Sequence, residues 1–276
     1  MTHLRARLLP VLALSLVGGC LFHHKITPKV SLNPLSASPK TIDSLWNAAL
    51  DHYQHHKWEK AATAFDRAEL ELPPGDHRIL QGRLYLGELY VRSGSELQGV
   101  REYRRLVDEF PTDSLAPEAL LAAGDAYFKL WRNPELDPTY GLTAQSVYSE
   151  VLTRYPNAPA AKRAREKLST LDNLFATKEY KNAHYYLKMR AYDSAILYYK
   201  SLVADHPHAP IVPRALADLI SAYRKLKYAA DIQDMCTYMQ KDWATTPEYR
   251  ASCPAAVVAA PGAGGPAGGA GKPAGH

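Results

Sequence analysis

The sequence is poor in cysteine and glycine and has almost no excess of charge of either sign. Its three cysteines in 276 residues exclude a small disulfide-held scaffold and a zinc site of four cysteines. Seven of the 16 glycines fall in the last 26 residues, so the remainder has too few to suggest a glycine-rich nucleotide loop. Lys and Arg total 33 against 28 Asp and Glu. This balance argues against a nucleic-acid partner, since such proteins concentrate basic residues on one face.

Residues 1–19 are predicted to be an export signal. Two arginines precede an apolar run over residues 8–17. This run is about half of the roughly 20 residues that a transmembrane helix needs. Residues 17–20, Val-Gly-Gly-Cys, resemble the bacterial lipobox, which implies cleavage before Cys20 and attachment of acyl chains (diacylglycerol and an amide-linked chain) to that residue. Leu21, in place of aspartate, resembles the lipoproteins that are sorted to the outer membrane.

Two low-complexity flanks are predicted on either side of the central region. Residues 20–40 are interpreted as a flexible, lipidated tether, because three prolines lie there among Ser, Thr and Lys. Residues 246–276 are interpreted as a disordered tail. Its last 26 residues contain 9 Ala, 7 Gly and 4 Pro, which offer little to bury in a core. A cell-wall-binding or partner-binding segment is the alternative for this tail.

Residues 41–245 contain a sequence repeat. Its spacings match the tetratricopeptide (TPR) pattern, in which a small residue lets two helices cross closely and a proline ends the second helix. A degenerate fifth unit follows four clear ones. The sequence therefore predicts an all-α fold, a TPR-like α-solenoid of about five helix pairs. The small residues, aromatics and prolines of the clear units are Ala49, Tyr53, Ala61, Phe65 and Pro73; Gly87, Tyr90, Gly99, Tyr103 and Pro111; Gly124, Tyr127, Ala144, Tyr148 and Pro156; and Ala183, Tyr186, Ala195, Tyr199 and Pro207.

Two departures from the TPR period, which is about 34 residues, predict local features. Tyr127 and Ala144 are 17 residues apart, whereas the second and fourth units have 9 at this place. The excess falls in residues 131–139 and predicts a longer loop between the paired helices. From Pro159 to Tyr186 apolar residues recur at three- and four-residue spacing, which predicts one unusually long helix.

The sequence resembles the BamD family, the TPR lipoproteins of the bacterial outer-membrane β-barrel assembly machinery. The resemblance covers the lipobox, the tether and five repeats. Its most specific parts are residues 136–139 (LDPT), 154–159 (RYPNAP) and 179–192. Tyr198 departs from the family, in which many members have a basic side chain at that place.

The resemblance implies a non-enzymatic scaffold, anchored by its lipid to the periplasmic face of the outer membrane. The carboxy-terminal repeats would hold an Omp85-type (BamA-like) barrel-inserting subunit. The amino-terminal repeats would receive the C-terminal targeting segment of unfolded outer-membrane proteins. The alternative is a periplasmic TPR adaptor of another cell-envelope machinery, such as Tol–Pal or division.

The candidate binding residues lie on the first helices of the first three repeats, which line the groove of a TPR solenoid. Aromatic, amide and charged groups suit a peptide with an aromatic end and a terminal carboxylate, and Arg92 and Lys129 would be its electrostatic partners. The alternative interpretation of Trp46 and Phe128 is that they pack between helices. The groove set is Trp46, Tyr53, Gln54, Gln81, Glu88, Arg92, Phe128 and Lys129.

Other chemistry has weaker support in the sequence. His52 and His56 have the spacing of a two-histidine metal site. This pair is the basis of the alternative hypothesis that the protein is an enzyme. No third ligand falls into a recognised pattern, so we predict a solvated helix face, without metal or cofactor. Cys236 and Cys253 could pair in an oxidising periplasm, which would tie the start of the tail to the last helix.

Overall fold

The computed structural model describes residues 39–253, and every regular element in that range is an α-helix. Several helices begin with a proline in the first turn, where its missing N–H costs no helical hydrogen bond. The helices are α1 (Pro39–Gln54), α2 (Trp58–Glu71), α3 (Arg78–Arg92), α4 (Glu96–Glu109), α5 (Ala116–Leu130), α6 (Thr139–Arg154), α7 (Pro159–Lys188), α8 (Tyr192–Asp205), α9 (Val212–Leu226), α10 (Ala229–Trp243) and α11 (Pro247–Ser252).

The helices pack in chain order as a solenoid. α1 packs on α2, α3 on α4, α5 on α6, α7 on α8 and α9 on α10, and each pair packs on the next. The short helix α11 lies against α9 and α10. The fold is therefore the all-α, TPR-like α-solenoid of five helix pairs that the repeat predicts, with one additional helix at its end.

Close crossing of the two helices within a repeat explains the small residue of the motif. A Cβ added at Gly87 of α3 would lie 2.3 Å from Cε1 of Tyr103 on α4. At Gly124 of α5 the same atom would lie 2.6 Å from Cε1 of Tyr148 on α6. Both tyrosines are buried. Their rings occupy the space that the missing side chains leave, so glycine and tyrosine are needed together.

Helix α7 has 30 residues and confirms the predicted long helix. Its first part, up to Phe175, belongs to the central hydrophobic cluster, which also takes in α3 to α6. From Ala176 onward it belongs to a second cluster formed with α8 to α11. A third cluster joins α1, α2 and α3. One continuous helix therefore connects two successive cores.

The longer loop of the third repeat is also confirmed, because α5 ends at Leu130 and α6 begins at Thr139. This loop rests on α7: Lys178 donates to the carbonyl oxygen of Leu136, and Lys181 pairs with Glu135. The insertion is thus folded onto its neighbour.

The predicted boundaries of the solenoid need correction at both ends. α1 begins at Pro39, inside the predicted tether 20–40. α11 lies inside the predicted tail 246–276, where the Thr246 hydroxyl accepts a hydrogen bond from the N–H of Tyr249. Cys253 is buried and joined to Cys236 by a disulfide, which holds this segment on the fold. The predictions for residues 1–38, Cys20 included, and for residues 254–276 lie outside the described residues.

Candidate functional site

Five side chains from three helices meet where the first repeat joins the second. Tyr53 comes from α1, Trp58 from α2, and Tyr85, Glu88 and Arg92 from α3; we call them the Tyr53 cluster. The ring of Tyr53 lies 4.8 Å from that of Tyr85 and 5.8 Å from that of Trp58, between centroids. The α3 members are three and four residues apart, so they share one face of the helix.

Glu88 organises the polar side of the Tyr53 cluster. Its Oε2 accepts a 2.7 Å hydrogen bond from the Tyr53 hydroxyl, and its Oε1 accepts one of 2.7 Å from Nε of Arg92. Burial, followed by the bond to Glu88, raises the pKa of Tyr53 to about 12. The hydrogen bond to Glu88 likewise raises the pKa of Arg92. At neutral pH Tyr53 is therefore a neutral phenol, and Arg92 is a cation bonded to Glu88.

Arg92 combines a charge with an aromatic surface at one point. Its guanidinium carbon lies 5.1 Å from the centroid of the Trp58 ring, within cation–π range. Its side chain is 51% exposed although paired with Glu88. The pair uses Nε and Nη2, and Arg has further N–H donors on Nη1. A ligand that carries a carboxylate beside an aromatic ring finds a partner for each group here.

Lys129 lies at the following joint, between α3 and α5. Its Nζ donates to the carbonyl oxygen of Val91, at 2.5 Å, and lies 3.3 Å from Oε1 of the buried Glu96. Val91 precedes Arg92 in the chain, so Lys129 and Arg92 both lie at the carboxy-terminal end of α3. The neighbouring Phe128 is partly buried, and Nζ of Lys167 lies 6.0 Å from its ring centroid.

The structure corrects the assignment of Trp46 to the groove. Trp46 is only 8% exposed, and its ring packs edge-on against Phe65 at 5.3 Å. A Cβ added at Gly82 of α3 would lie 3.4 Å from Cζ3 of this ring, an ordinary contact. Trp46 therefore fills the core between α1, α2 and α3.

The remaining predicted groove residues divide between cluster and surroundings. Tyr53, Glu88 and Arg92 come together, as described. Gln81 is partly buried on the same α3 face, and Gln54 is exposed at the last position of α1. Sequence reasoning missed Trp58 and Tyr85. Tyr85 could have been found, because it lies four residues after Gln81 and three before Glu88 and so shares their face of α3. Trp58 follows a turn with His56 at a φ of 56°, and its direction cannot be inferred from helical spacing.

A second polar cluster lies where α7, α8 and α9 meet. Oδ2 of Asp218 accepts hydrogen bonds from the hydroxyls of Tyr180 and Tyr199, at 2.7 and 3.2 Å, and lies 3.3 Å from Nδ1 of His184. Burial, followed by interactions with Asp218, raises the pKa of both tyrosines above the ordinary value. This cluster ties two repeats together. Across residues 39–253, no three His, Cys, Asp or Glu side chains are placed to hold a metal ion.

Large apolar side chains are exposed in the fourth repeat, around the α7–α8 turn. Tyr185, Met189 and Leu197 are 60–68% exposed, and Tyr198 is 39% exposed. The Tyr198 ring stacks on that of Tyr186, at 4.9 Å and an interplanar angle of 6°. We call Tyr185, Tyr186, Met189, Leu197 and Tyr198 the fourth-repeat face. Large exposed apolar side chains concentrated in one repeat are typical of a protein–protein contact.

The chain has recognisable relatives. The family model described as "YfiO: Outer membrane lipoprotein" matches residues 39–241. The outer membrane protein assembly factor BamD of Caulobacter vibrioides is 23% identical over 213 residues, which are 77% of this chain and 68% of that protein. The factor of the same name from Vibrio cholerae is 24% identical over 240 residues, covering 83% of this chain and 95% of that protein.

Solved structures of TPR proteins align as well. The TPR2AB domain of yeast Sti1, in its pHSP90 complex, is 15% identical with a TM-score of 0.44, covering 78% of this chain and 82% of that chain. Within residues 39–253, no helix has both the length and the apolar character needed to cross a membrane.

Proposed function

The chain belongs to the YfiO family of outer membrane lipoproteins, and from this membership we propose that it is a non-catalytic outer-membrane protein assembly factor. Relatives from Caulobacter vibrioides and Vibrio cholerae carry the name outer membrane protein assembly factor. In this proposal the lipid on Cys20 anchors the solenoid to the periplasmic face of the outer membrane. The first repeats bind the C-terminal targeting segments of unfolded outer-membrane proteins. The fourth repeat contacts an Omp85-type (BamA-like) barrel-inserting subunit.

The observation that carries the client-binding part is the position of Arg92 over Trp58. In a client segment that ends in an aromatic residue, the ring and the terminal carboxylate belong to the same residue. Its binding site therefore needs an apolar ring and a cation close to each other. The half-exposed guanidinium at 5.1 Å from the indole provides both. Lys129 adds a second cation beside the same end of α3, since it is bonded to the carbonyl oxygen of Val91.

The fourth-repeat face supports the partner-binding part. Leu197 is 68% exposed and Met189 63% exposed, whereas Tyr199, on the same helix as Leu197, is fully buried. Burial of this apolar area against a partner subunit would gain about 25 cal/mol for each Å² removed from water. The two surfaces lie on different repeats, so client and partner can be bound together.

Charge reversal tests the client site. The variants Arg92→Glu and Lys129→Glu should each weaken binding of a synthetic outer-membrane-protein C-terminal peptide at least tenfold, measured by fluorescence anisotropy. Arg105→Glu is the matched control, because Arg105 is 55% exposed and paired with Glu102 on the second helix of the same repeat. Unchanged affinity of the Arg92 and Lys129 variants, with normal helix content by circular dichroism, would remove this site from the proposal.

Affinity purification from detergent-solubilised envelope tests the partner. The tagged chain should co-purify an Omp85-type barrel, and Leu197→Asp should reduce its yield. Leu70→Asp is the control, since Leu70 is similarly exposed, at 65%, on α2. Recovery of Tol–Pal or division proteins without an Omp85-type barrel would instead support the adaptor alternative.

A further inference from the structure

A cleft at the carboxy-terminal end of the solenoid combines prolines with aromatic rings. It has a volume of about 390 Å³ and lies between the α8–α9 turn and the end of α10. The rings of Tyr238 and Trp243 stand 5.7 Å apart at 49°, and both side chains are partly exposed. The lining of the cleft includes Pro207, His208, Pro210, Pro213, Tyr238 and Trp243, with Asp242 at the end of α10.

The chemistry of this cleft fits an extended, proline-containing segment. Flat aromatic rings pack well against pyrrolidine rings, and such segments pay little entropy on binding because their backbone is already restricted. The Tyr hydroxyl and the Trp Nε1–H add polar ends that can reach the carbonyl oxygens of an extended chain. We call this the Tyr238–Trp243 cleft.

The chain itself continues close to the cleft. Cys253, the last described residue, is bonded to Cys236 of α10. Cys236 precedes Trp243 by seven residues on the same helix, a rise of about 10 Å. Helix α11 packs on α9 and α10. Cys253 therefore lies within a few residues' reach of the cleft.

The sequence that follows has the composition this cleft suits. Residues 254–276 number 23 and include four prolines, and residues 254–271 have no charged side chain. No charge need be desolvated over that stretch, and Val257 and Val258 supply apolar side chains. A short connection also gives an effective concentration in the millimolar range, so a weak intrinsic affinity suffices for occupancy.

We propose that residues 254–276 bind back onto the Tyr238–Trp243 cleft as an intramolecular, proline-containing ligand. The tail is then fastened to the last repeat, and it competes with any proline-rich segment of another protein for the same surface. This inference does not depend on the client or partner sites, which lie on other repeats.

The indole N–H resonance of Trp243 reports on the cleft. Three mature chains would be compared by heteronuclear NMR, each with Cys20→Ser so that no lipid is attached. These are the complete chain, a chain ending at Cys253, and a chain in which residues 254–276 are replaced by a Gly/Ser sequence of equal length. Trp243→Phe assigns the resonance. We expect the Trp243 signal of the complete chain to differ from that of the other two, which should agree with each other.

Other outcomes would overturn the proposal. The Trp243 resonance at one position in all three chains would show that the tail leaves the cleft empty. An equal shift with the native and the Gly/Ser tail would show that proline and valine are not recognised. A shift caused only by an added proline-rich peptide would assign the cleft to another protein. The indole signals of Trp46, Trp58 and Trp131 are internal controls, because none of these residues lines the cleft.

Discussion

The hydroxyl of Tyr53 donates a 2.7 Å hydrogen bond to Oε2 of Glu88, thirty-five residues away in the sequence. This bond connects α1 to α3, the first helices of two successive repeats. Since Glu88 also holds Arg92, the same carboxylate fixes the joint between repeats and the position of the exposed cation. The rigidity of the first joint and the geometry of the proposed client site therefore depend on one side chain.

Removal of the Tyr53 hydroxyl should weaken this joint. We expect Tyr53→Phe to lower the free energy of unfolding by about 1 kcal/mol, because Glu88 loses one partner but keeps Arg92. Urea unfolding followed by circular dichroism measures the change. Tyr140→Phe is the control, since Tyr140 is 38% exposed at the start of α6 and should change stability by less than about 0.5 kcal/mol. Equal effects of both substitutions would contradict this role of the hydroxyl.

Two alanine substitutions in the same helix should have different effects on stability. In Gly87→Ala the new Cβ would overlap the Tyr103 ring, and we expect a net loss of about 1–2 kcal/mol despite the higher helix propensity of alanine. In Gly82→Ala the new Cβ has an ordinary contact with Trp46, at 3.4 Å, so the propensity gain should leave stability equal or up to about 1 kcal/mol higher. Thermal unfolding of both variants measures the two changes in stability. A Gly87→Ala variant as stable as the parent would contradict the close crossing of α3 and α4.

The carboxylate of Asp66 should make stability depend on pH. Burial, followed by the charges of Glu102 and Glu69, raises the pKa of Asp66 to about 6, and its Oδ2 is buried without a hydrogen-bond partner among residues 39–253. The folded state therefore holds the proton more tightly than the unfolded state does. The resulting penalty grows from about pH 4 to about pH 6 and is complete above pH 6.

Asp66→Asn removes this penalty. We expect it to raise the free energy of unfolding by about 1 kcal/mol at pH 7.5, less than the full pKa difference implies because the group is partly solvated, and to have little effect near pH 4. Asp76→Asn should show the opposite sign, since the hydrogen bonds from Arg78 lower the pKa of Asp76. That variant should lose stability at neutral pH and recover relative to the parent as the pH falls. A gain for Asp66→Asn that does not vary with pH would disprove the mechanism.

The Cys236–Cys253 disulfide should hold α11 in place. In the Cys20→Ser chain, we expect alkylation of two thiols only after reduction, detected by mass spectrometry. Reduction should lower the free energy of unfolding by about 3 kcal/mol, as expected for a loop of this length, which is 17 residues. The variant Cys236→Ser/Cys253→Ser should be equally destabilised and insensitive to reductant. Identical masses with and without reductant after alkylation would show that the bond does not form.

The sequence was sufficient for the features that depend on local spacing. Recurrence of a small residue, an aromatic and a proline predicts five helix pairs, and the insertion at residues 131–139 predicts the loop before α6. The apolar spacing after Pro159 predicts α7. These are properties of neighbouring residues, since helix periodicity and proline chemistry act over a few positions.

The assignment of individual side chains to groove or core required the tertiary structure. Helical spacing places Trp46 and Tyr53 on the first helix alike, yet one is buried against Phe65 and the other reaches Glu88. Which sector of a helix is covered depends on how closely the neighbouring helices approach it, and helical spacing within one helix does not give this distance.

The end of the solenoid shows the same division. Composition indicates where the Ala/Gly/Pro-rich sequence begins, and the two cysteines are visible as a pair that could form. Only the folded chain brings Cys253 to Cys236 and packs α11 on α9, so the solenoid extends past residue 245. The physical reason is that local sequence sets the helices, whereas contacts between residues distant in the chain set their order, burial and pairing.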